Sequence, residues 1–332
     1  MNITSVAVIG AGLAGLSCAR RLAGAGVPVR VFESQRAAGG RLATRRFEAA
    51  SFDHGAQYLT VSDLAFRQIV EDAHAAGAAG LWQPDWPDRA RQAGELWVGT
   101  PGMTALPRYL ARGLDIEYGA RIVRLEHGRR GWALLDDRGS AHVDFGAVVL
   151  AMPAPLAAVL AAPHTLLAAR VRSIPMAPCW AAMIAFEEPL AGVPDAGFMD
   201  DPVLPWFARN GSKPRRDTPQ SWVLHAGAEW SRLEFDRPAR QVQKVLLKRF
   251  SERIGRALPR LWLSDSHRWR HARVEAPLGE AFLLDREARI GFCGDWCLDA
   301  RVEAAFLSGD ALGTALVESQ RIARSGKMHG SQ

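Results

Sequence analysis

Val6-Ala7-Val8-Ile9-Gly10-Ala11-Gly12-Leu13-Ala14-Gly15 reads as a buried strand running into a glycine turn at the mouth of a helix. A strand over Ser5 to Ile9, a helix from about Leu13 to Ala25 and a second strand over Val29 to Glu33 make a βαβ unit, and with it a parallel sheet. In this G-x-G-x-x-G, Gly10 permits the tight turn, Gly12 lets the backbone approach a pyrophosphate, and Gly15 lets helix and strand pack closely. The free N–H groups and positive dipole end of the helix then face the phosphates. Glu33 closes the second strand, where a carboxylate accepts from ribose hydroxyls and repels a 2′-phosphate. The AMP half of a dinucleotide fits this arrangement.

Gly39-Gly40-Arg41 follows, a second glycine pair carrying a cation. A guanidinium there can pair with pyrophosphate oxygens, a feature that NAD dehydrogenases do not need, so FAD is the expected cofactor. Towards the C-terminus, Gly291 to Gly294 and Asp295 precede a helix opened by Arg301, Val302 and Glu303. A helix start beside Gly-Asp suits a ligand edge that gains negative charge on reduction.

Between these motifs, Ile122 to His127 and Trp132 to Asp136 read as a hairpin, and Ala147 to Ala151 as a buried strand. Beyond Pro153, tryptophan-rich strands over Trp180 to Phe186, Val203 to Phe207 and Trp222 to His225 suggest an antiparallel sheet. A helix near Ala239 to Ile254, a returning strand over Ala288 to Gly294 and a last helix from about Glu303 to Ala323 complete the pattern. The fold class is therefore α/β: a discontinuous Rossmann-type dinucleotide domain (1–60, 96–158 and 266–325) and a second α+β substrate domain on a mostly antiparallel sheet (61–95 and 159–265). A flexible tail is expected over 326–332.

The four cysteines make neither a CxxC pair nor a zinc spacing, so reduced thiols and no metal are expected. No segment approaches the roughly 20 apolar residues of a membrane span. The glycines in the run from Val6 to Leu16 argue for a phosphate loop rather than a secretory signal, so a cytoplasmic location is expected. The net charge of +6 comes from scattered cations, which argues against a nucleic-acid partner. Arg170, Arg172, Lys213, Arg215 and Arg216 read either as a solvated face or as an attractor for a phosphate-bearing substrate.

The first loop, Gly39-Gly40-Arg41, Asp53-His54-Gly55-Ala56-Gln57-Tyr58, Ala151-Met152-Pro153-Ala154-Pro155, Val223-Leu224-His225, Trp269-Arg270-His271 and Gly294-Asp295 together resemble the renalase family, its bacterial forms above all. The resemblance runs nearly the whole length of the chain. It implies a flavoprotein of the p-hydroxybenzoate hydroxylase type, within the flavin amine oxidase superfamily, with FAD held non-covalently. It also implies oxidation of 2-dihydro, and as a second candidate 6-dihydro, isomers of NAD(P)H to NAD(P)+, with dioxygen giving hydrogen peroxide. By this resemblance Gly10, Gly12, Gly15, Glu33, Gly40, Arg41 and Asp295 contact FAD, and backbone groups at Val123 hold adenine. Ala11, Ser34, Gln57, Tyr58, Gly294, Glu303 and Ala304 complete the cofactor set. Tyr58, Asn210 and His225 line the substrate pocket.

Hydride loss from a dihydropyridine yields an aromatic pyridinium and needs no enzymic base, so the expected catalysis is by positioning. Tyr58 would supply an aromatic wall, and Asn210 and His225 would bond the carboxamide or ribose. Each has a plain structural reading beside that one: a satisfied buried tyrosine, an Asn-Gly hairpin turn, a hydrogen-bonded core histidine. Two other functions are compatible with the sequence: an oxidase of small amines, and an FAD-binding or redox-sensing protein without catalysis.

Overall fold

The computed structural model describes residues 4–87, 94–218 and 220–329. The chain packs as two compact units, 1–40 with 107–176 and 274–332, and 41–106 with 177–273.

The first unit is the Rossmann unit. Val6–Ile9 pairs in parallel with Val29–Glu33 on one side and Ala147–Leu150 on the other. Asp115–Tyr118 and Ile290–Phe292 extend the sheet in parallel, and Leu283–Asp285 closes it antiparallel, giving six strands. The central strands are buried on both faces, which is why they read as continuous apolar runs. Helix Leu13–Gly24 packs against the long helix Val302–His329 at near-contact distance. A β-carbon at Gly309 would lie 2.0 Å from the Ala14 carbonyl oxygen, so only glycine allows this approach. Ser17 Oγ donates to the Phe306 carbonyl at 2.9 Å, and Arg21 makes a two-pronged bond to Asp310, fixing the register of the two helices. A separate three-stranded sheet, Ile122–Gly128, Gly131–Asp136 and Ala141–Phe145, contributes Trp132 and Leu134 to the same core.

The second unit is built on a five-stranded sheet in the order Ala196–Phe198, Trp206–Arg209, Ser221–His225, Met176–Phe186, Leu261–Val274. Its faces alternate along each strand. Ile184, Phe207, Trp222 and Leu224 turn to helix Ala239–Ile254 and enclose Val242, Leu246 and Phe250. Met183, Ala185 and Val223 point the other way, onto Ala50 and Phe52 of the hairpin Thr44–Arg46/Ser51–Asp53. Trp206 pairs with His225 across the ladder, so both belong to that second face.

Several sequence expectations shift. The strand expected over Val203 to Phe207 is Trp206–Arg209, because Asp201 Oδ1 accepts from the N–H groups of Val203 and Leu204 and holds the Pro202–Pro205 segment as a turn. Asn210–Ser212 is a short 3-10 turn following strand Trp206–Arg209 rather than a tight Asn-Gly hairpin turn. Strand Leu261–Val274 is an addition: its charged sequence carries no period-two apolar pattern. Residues 41–60, 96–106 and 266–273 belong to the second unit and 159–176 to the first, unlike the boundaries expected from sequence. The last helix runs to His329, so the expected tail over 326–332 lies partly in that helix and partly outside the described residues. No helix is long and apolar enough to cross a membrane, among the described residues.

Candidate functional site: a dinucleotide loop and an aromatic face

Gly10 has φ +108, and a β-carbon on it would lie 2.6 Å from the Ala151 carbonyl oxygen. One on Gly15 would lie 1.9 Å from the Gly10 carbonyl oxygen, so both positions are set by the protein's own packing. Gly12 differs: a β-carbon there meets no protein atom within 4 Å. Gly12 also caps helix Leu13–Gly24 without any side-chain hydrogen bond. The first-turn N–H groups thus lie behind a glycine bordered by open space, as a diphosphate requires. Gly40 closes in from the opposite side, its β-carbon position 3.6 Å from the Gly12 Cα, and the Gly39 N–H donates to the Ala11 carbonyl at 3.0 Å.

Glu33 is buried at the strand tip beside this loop. Its Oε2 accepts from the Ala11 N–H at 2.8 Å, and its Oε1 from the Gln35 N–H at 2.8 Å and the Ser34 hydroxyl at 3.2 Å. An ionised carboxylate offers about four lone-pair sites, so Oε2 retains capacity for a ribose hydroxyl. Val123 is exposed and is the extra residue at a register shift between Ile122 and Arg124. Near the other end of the unit, the Gly294 N–H donates to Ser308 Oγ at 3.0 Å, and Trp296 Nε1 donates to the Met152 carbonyl. Asp295, Glu303 and Ala304 are buried there, with Glu303 Oε2 held by Arg301 at 2.9 Å. Burial pushes the Cys297 thiol up to about 12 and raises Cys293 well above its ordinary value, so both stay protonated.

In the second unit, Asp53 is the hub. Its Oδ1 accepts from Thr44 Oγ1 at 2.7 Å and the Met103 N–H at 2.9 Å. Its Oδ2 accepts from Lys213 Nζ at 3.3 Å and Arg216 Nη2 at 2.6 Å, and all three ionic side chains are fully buried. Burial pushes the Asp53 carboxyl up, but the two cations and the Met103 N–H outweigh it and hold the pKa at about 2. Burial lowers Lys213 to about 8 against the attraction of Asp53. Lys213 and Arg216 are therefore core cations, not the solvent-facing phosphate attractors that sequence allows, and Arg170 is paired with Glu280.

Two expected ligand contacts are absorbed by this hub. Asn210 is fully buried; its Oδ1 accepts from the Asp53 N–H and its Nδ2 donates to the Ser51 carbonyl, so its side chain braces the hairpin. Gln57 Nε2 donates to the Gly55 and Asp53 carbonyls, and its Oε1 accepts from Lys213 Nζ at 3.2 Å. Arg41 Nη1 donates to the Ala272 carbonyl at 3.3 Å.

Tyr58 and His225 occupy a different setting. The Tyr58 ring lies 6.2 Å from Trp82, 6.2 Å from Trp86 and 5.9 Å from Trp206, and Trp86 and Trp206 meet edge to face at 5.1 Å. The cluster reaches solvent at Phe198, which is 56% exposed and 4.9 Å from Trp206. The Lys213 ammonium sits 5.5 Å from the Trp82 ring. The loop bearing Trp86 is pinned to the sheet edge: the Asp85 N–H donates to Asp195 Oδ2, the Asp195 N–H to the Asp85 carbonyl, and Arg209 Nε to Asp195 Oδ1. His225 Nε2 bonds the His54 carbonyl at 3.1 Å, which fixes the tautomer with its proton on Nε2. Burial lowers His225 to about 4, and burial with the neighbouring His267 lowers His54 to about 3, so both are neutral at pH 7. The structure places Tyr58 and His225 on the face that carries Trp206, while Trp86 and the hub role of Asp53 had no counterpart in the sequence reading. The density of tryptophan was the available signal.

Residues 8–73 match an NAD(P)-binding Rossmann-like domain, and residues 80–311 match the flavin containing amine oxidoreductase family. A methylenetetrahydrofolate--tRNA-(uracil-5-)-methyltransferase of Nitratidesulfovibrio vulgaris is 31% identical over 164 residues, 47% of this chain and 30% of that protein. The chain thus spans less than a third of that curated relative. Among solved structures, cyclohexylamine oxidase from Brevibacterium oxydans IH-35A superposes with TM-score 0.76 at 12% identity, over 96% of this chain and 100% of that one. A putative protoporphyrinogen oxidase from Exiguobacterium sp. 255-15 gives 0.74 at 12%, over 96% and 99%. Wild-type putrescine oxidase bound to putrescine gives 0.73 at 14%, over 95% and 99%. At these identities the likeness is one of fold. The family match covers well over half of the chain, and the loop at Gly12 and Glu33 suits a dinucleotide cofactor. The chain belongs to the flavin containing amine oxidoreductase family, and its cofactor is FAD.

Proposed function

We propose that this flavin-dependent oxidoreductase oxidises dihydro isomers of nicotinamide dinucleotides, the 2-dihydro form first and the 6-dihydro form second, to NAD(P)+. Dioxygen is the final acceptor: dihydro-NAD(P), O2 and a proton give NAD(P)+ and H2O2. The bound FAD supplies a two-electron acceptor for the hydride. It is held non-covalently, the two thiols beside Gly294 being protonated and buried. The chain's own residues bind and orient the substrate; no side-chain base is needed, because hydride loss makes an aromatic ring.

The observation that carries this reading is the charge of the second unit. Its buried carboxylates among the described residues, Asp53, Asp195 and Asp201, are each held by arginines, and Asp53 by Lys213 as well. The Asp53 hub carries one positive charge in excess, and His54 and His225 stay neutral. An ammonium ion finds no unpaired buried anion there. Placed about 6 Å from the excess charge, it would be disfavoured by on the order of 3 kcal/mol at an effective dielectric of about 20. A neutral dihydropyridine ring with an anionic diphosphate tail meets no such penalty. Its ring suits the Tyr58–Trp206 wall, and its carboxamide suits the His225 imidazole, whose unprotonated Nδ1 is an acceptor.

The test is oxygen uptake by the holoenzyme with 2-dihydroNAD, with NAD+ assayed in parallel. The reading expects one NAD+ per O2 consumed and no uptake with cyclohexylamine or putrescine. Uptake with an amine alone would overturn it.

A further inference from the structure

Indole N–H groups in this protein are generally satisfied: Trp82 donates to Ser212 Oγ at 3.0 Å, Trp180 to the Glu234 carbonyl at 3.0 Å, and Trp269 to the His54 carbonyl at 2.9 Å. Trp86 and Trp206 break the pattern. They are 5% and 7% exposed, and neither Nε1 has a hydrogen-bond partner among the described residues. Trp222 shares that property, but its ring lies on the opposite face of the sheet, packed among Phe207 and Phe250 in the apolar core. Two unmet donors in one cluster of rings, beside Tyr58 and across the ladder from His225, leave that cluster short of acceptors. A buried donor left without an acceptor is costly, and a ligand oxygen that meets it gains affinity.

Resting on the function proposed above, we infer that the indole N–H groups of Trp86 and Trp206 are the substrate-reading donors of this face, taking oxygen acceptors of the bound ring, the carboxamide oxygen first. The chemistry is complementary. A primary carboxamide carries one acceptor oxygen and an NH2 donor; Trp206 offers a donor and the fixed tautomer of His225 an acceptor, on directly opposed ladder positions. An aliphatic ammonium has only donors and satisfies neither indole. Neither nitrogen is reached by solvent, so taking an acceptor requires the rings to part, and the exposed Phe198 edge is where they are least enclosed. The partner-less N–H groups favour that opening, because it is how they acquire a partner.

The experiment uses FAD-loaded protein labelled with 15N-tryptophan, and nicotinamide as the probe. W86F and W206F each delete one indole cross-peak and so assign it. In wild type the inference expects the Trp86 and Trp206 indole N–H peaks to move downfield as nicotinamide is added, with the other indoles still and propylamine without effect. In stopped-flow mixing with 2-dihydroNAD, W206F raises the apparent Kd about tenfold. If nicotinamide perturbs the flavin absorbance and 2-dihydroNAD bleaches it, yet neither indole peak moves, the donor role is refuted and the function stands. If the indole peaks move with nicotinamide but 2-dihydroNAD fails to bleach the flavin, the donor role holds and the substrate assignment falls. If the flavin and both indoles ignore nicotinamide and 2-dihydroNAD alike, both fail together.

Discussion

From Gly10 to Gly15 the determining contacts are with backbone: the Ala151 and Gly10 carbonyls dictate glycine at two positions, and a β-carbon at the third meets no protein atom within 4 Å. Around Tyr58 nothing is local. Its ring neighbours come from Trp82, Trp86 and Trp206, and the hub behind them joins Thr44, Asp53, Met103, Lys213 and Arg216. The contrast separates a loop shaped mainly by backbone contacts from an aromatic face, proposed for the substrate, whose chemistry is carried by side chains far apart in sequence. Backbone sites tolerate little variation; side-chain faces can change what they accept while the sheet beneath stays the same.

Substitutions sharpen the comparison most strongly at the loop. Gly15→Val forces a side chain onto the Gly10 carbonyl, so the variant should purify without flavin and with reduced stability, read by the absorbance ratio and a thermal melt. Gly12→Ala is the contrasting case. Its methyl meets no protein atom, so the melting temperature of the apoprotein should match wild type while FAD affinity falls about 100-fold; an affinity within twofold of wild type would remove the diphosphate from this loop.

In the second unit, Asp53→Ala strands two buried cations and should destabilise the protein by about 3–5 kcal/mol in denaturant unfolding. Asp53→Asn, which keeps the acceptor for Thr44 and Met103, should lie between the two. Equal stability of all three proteins would mean the hub is not a structural centre.

The loop was legible because a strand, three glycines, a helix and an acid appear in one short run, each with a single physical reason. Glu33 and the Gly40 approach followed from the same run. The second unit was legible only as an antiparallel sheet with tryptophans. Asn210 looked like a ligand contact and is a brace, because nothing local reveals that its amide meets Ser51 and Asp53. Lys213 and Arg216 looked like surface cations for the same reason: their partner lies in a hairpin far back in the chain. Strand Leu261–Val274 escaped notice because most of its residues are intermediate in exposure and its charged sequence shows no sustained apolar alternation.

Smaller effects refine the picture. Glu33→Gln keeps the shape but weakens the charge-assisted bonds, so FAD affinity should drop about tenfold, measured by flavin fluorescence on titration. The pH dependence of stability reports the second unit. His54 and His225 have folded values of about 3 and about 4, below the ordinary 6.5, so the unfolded chain takes up protons first. Their contribution is complete above pH 6.5 and is lost as the pH falls toward 4, and Asp53 adds the same sign below its ordinary 3.8. The denaturation midpoint at pH 7.5, 6 and 5 should therefore decline; a flat profile would mean these imidazoles are not held neutral.

The most direct test of the division between cofactor loop and substrate face is anaerobic stopped-flow absorbance of the holoenzyme against 2-dihydroNAD, ordinary 1,4-NADH and cyclohexylamine. The account predicts that 2-dihydroNAD bleaches the flavin at least about a hundredfold faster than either of the others. Bleaching by cyclohexylamine at a rate equal to or above that of 2-dihydroNAD would contradict it.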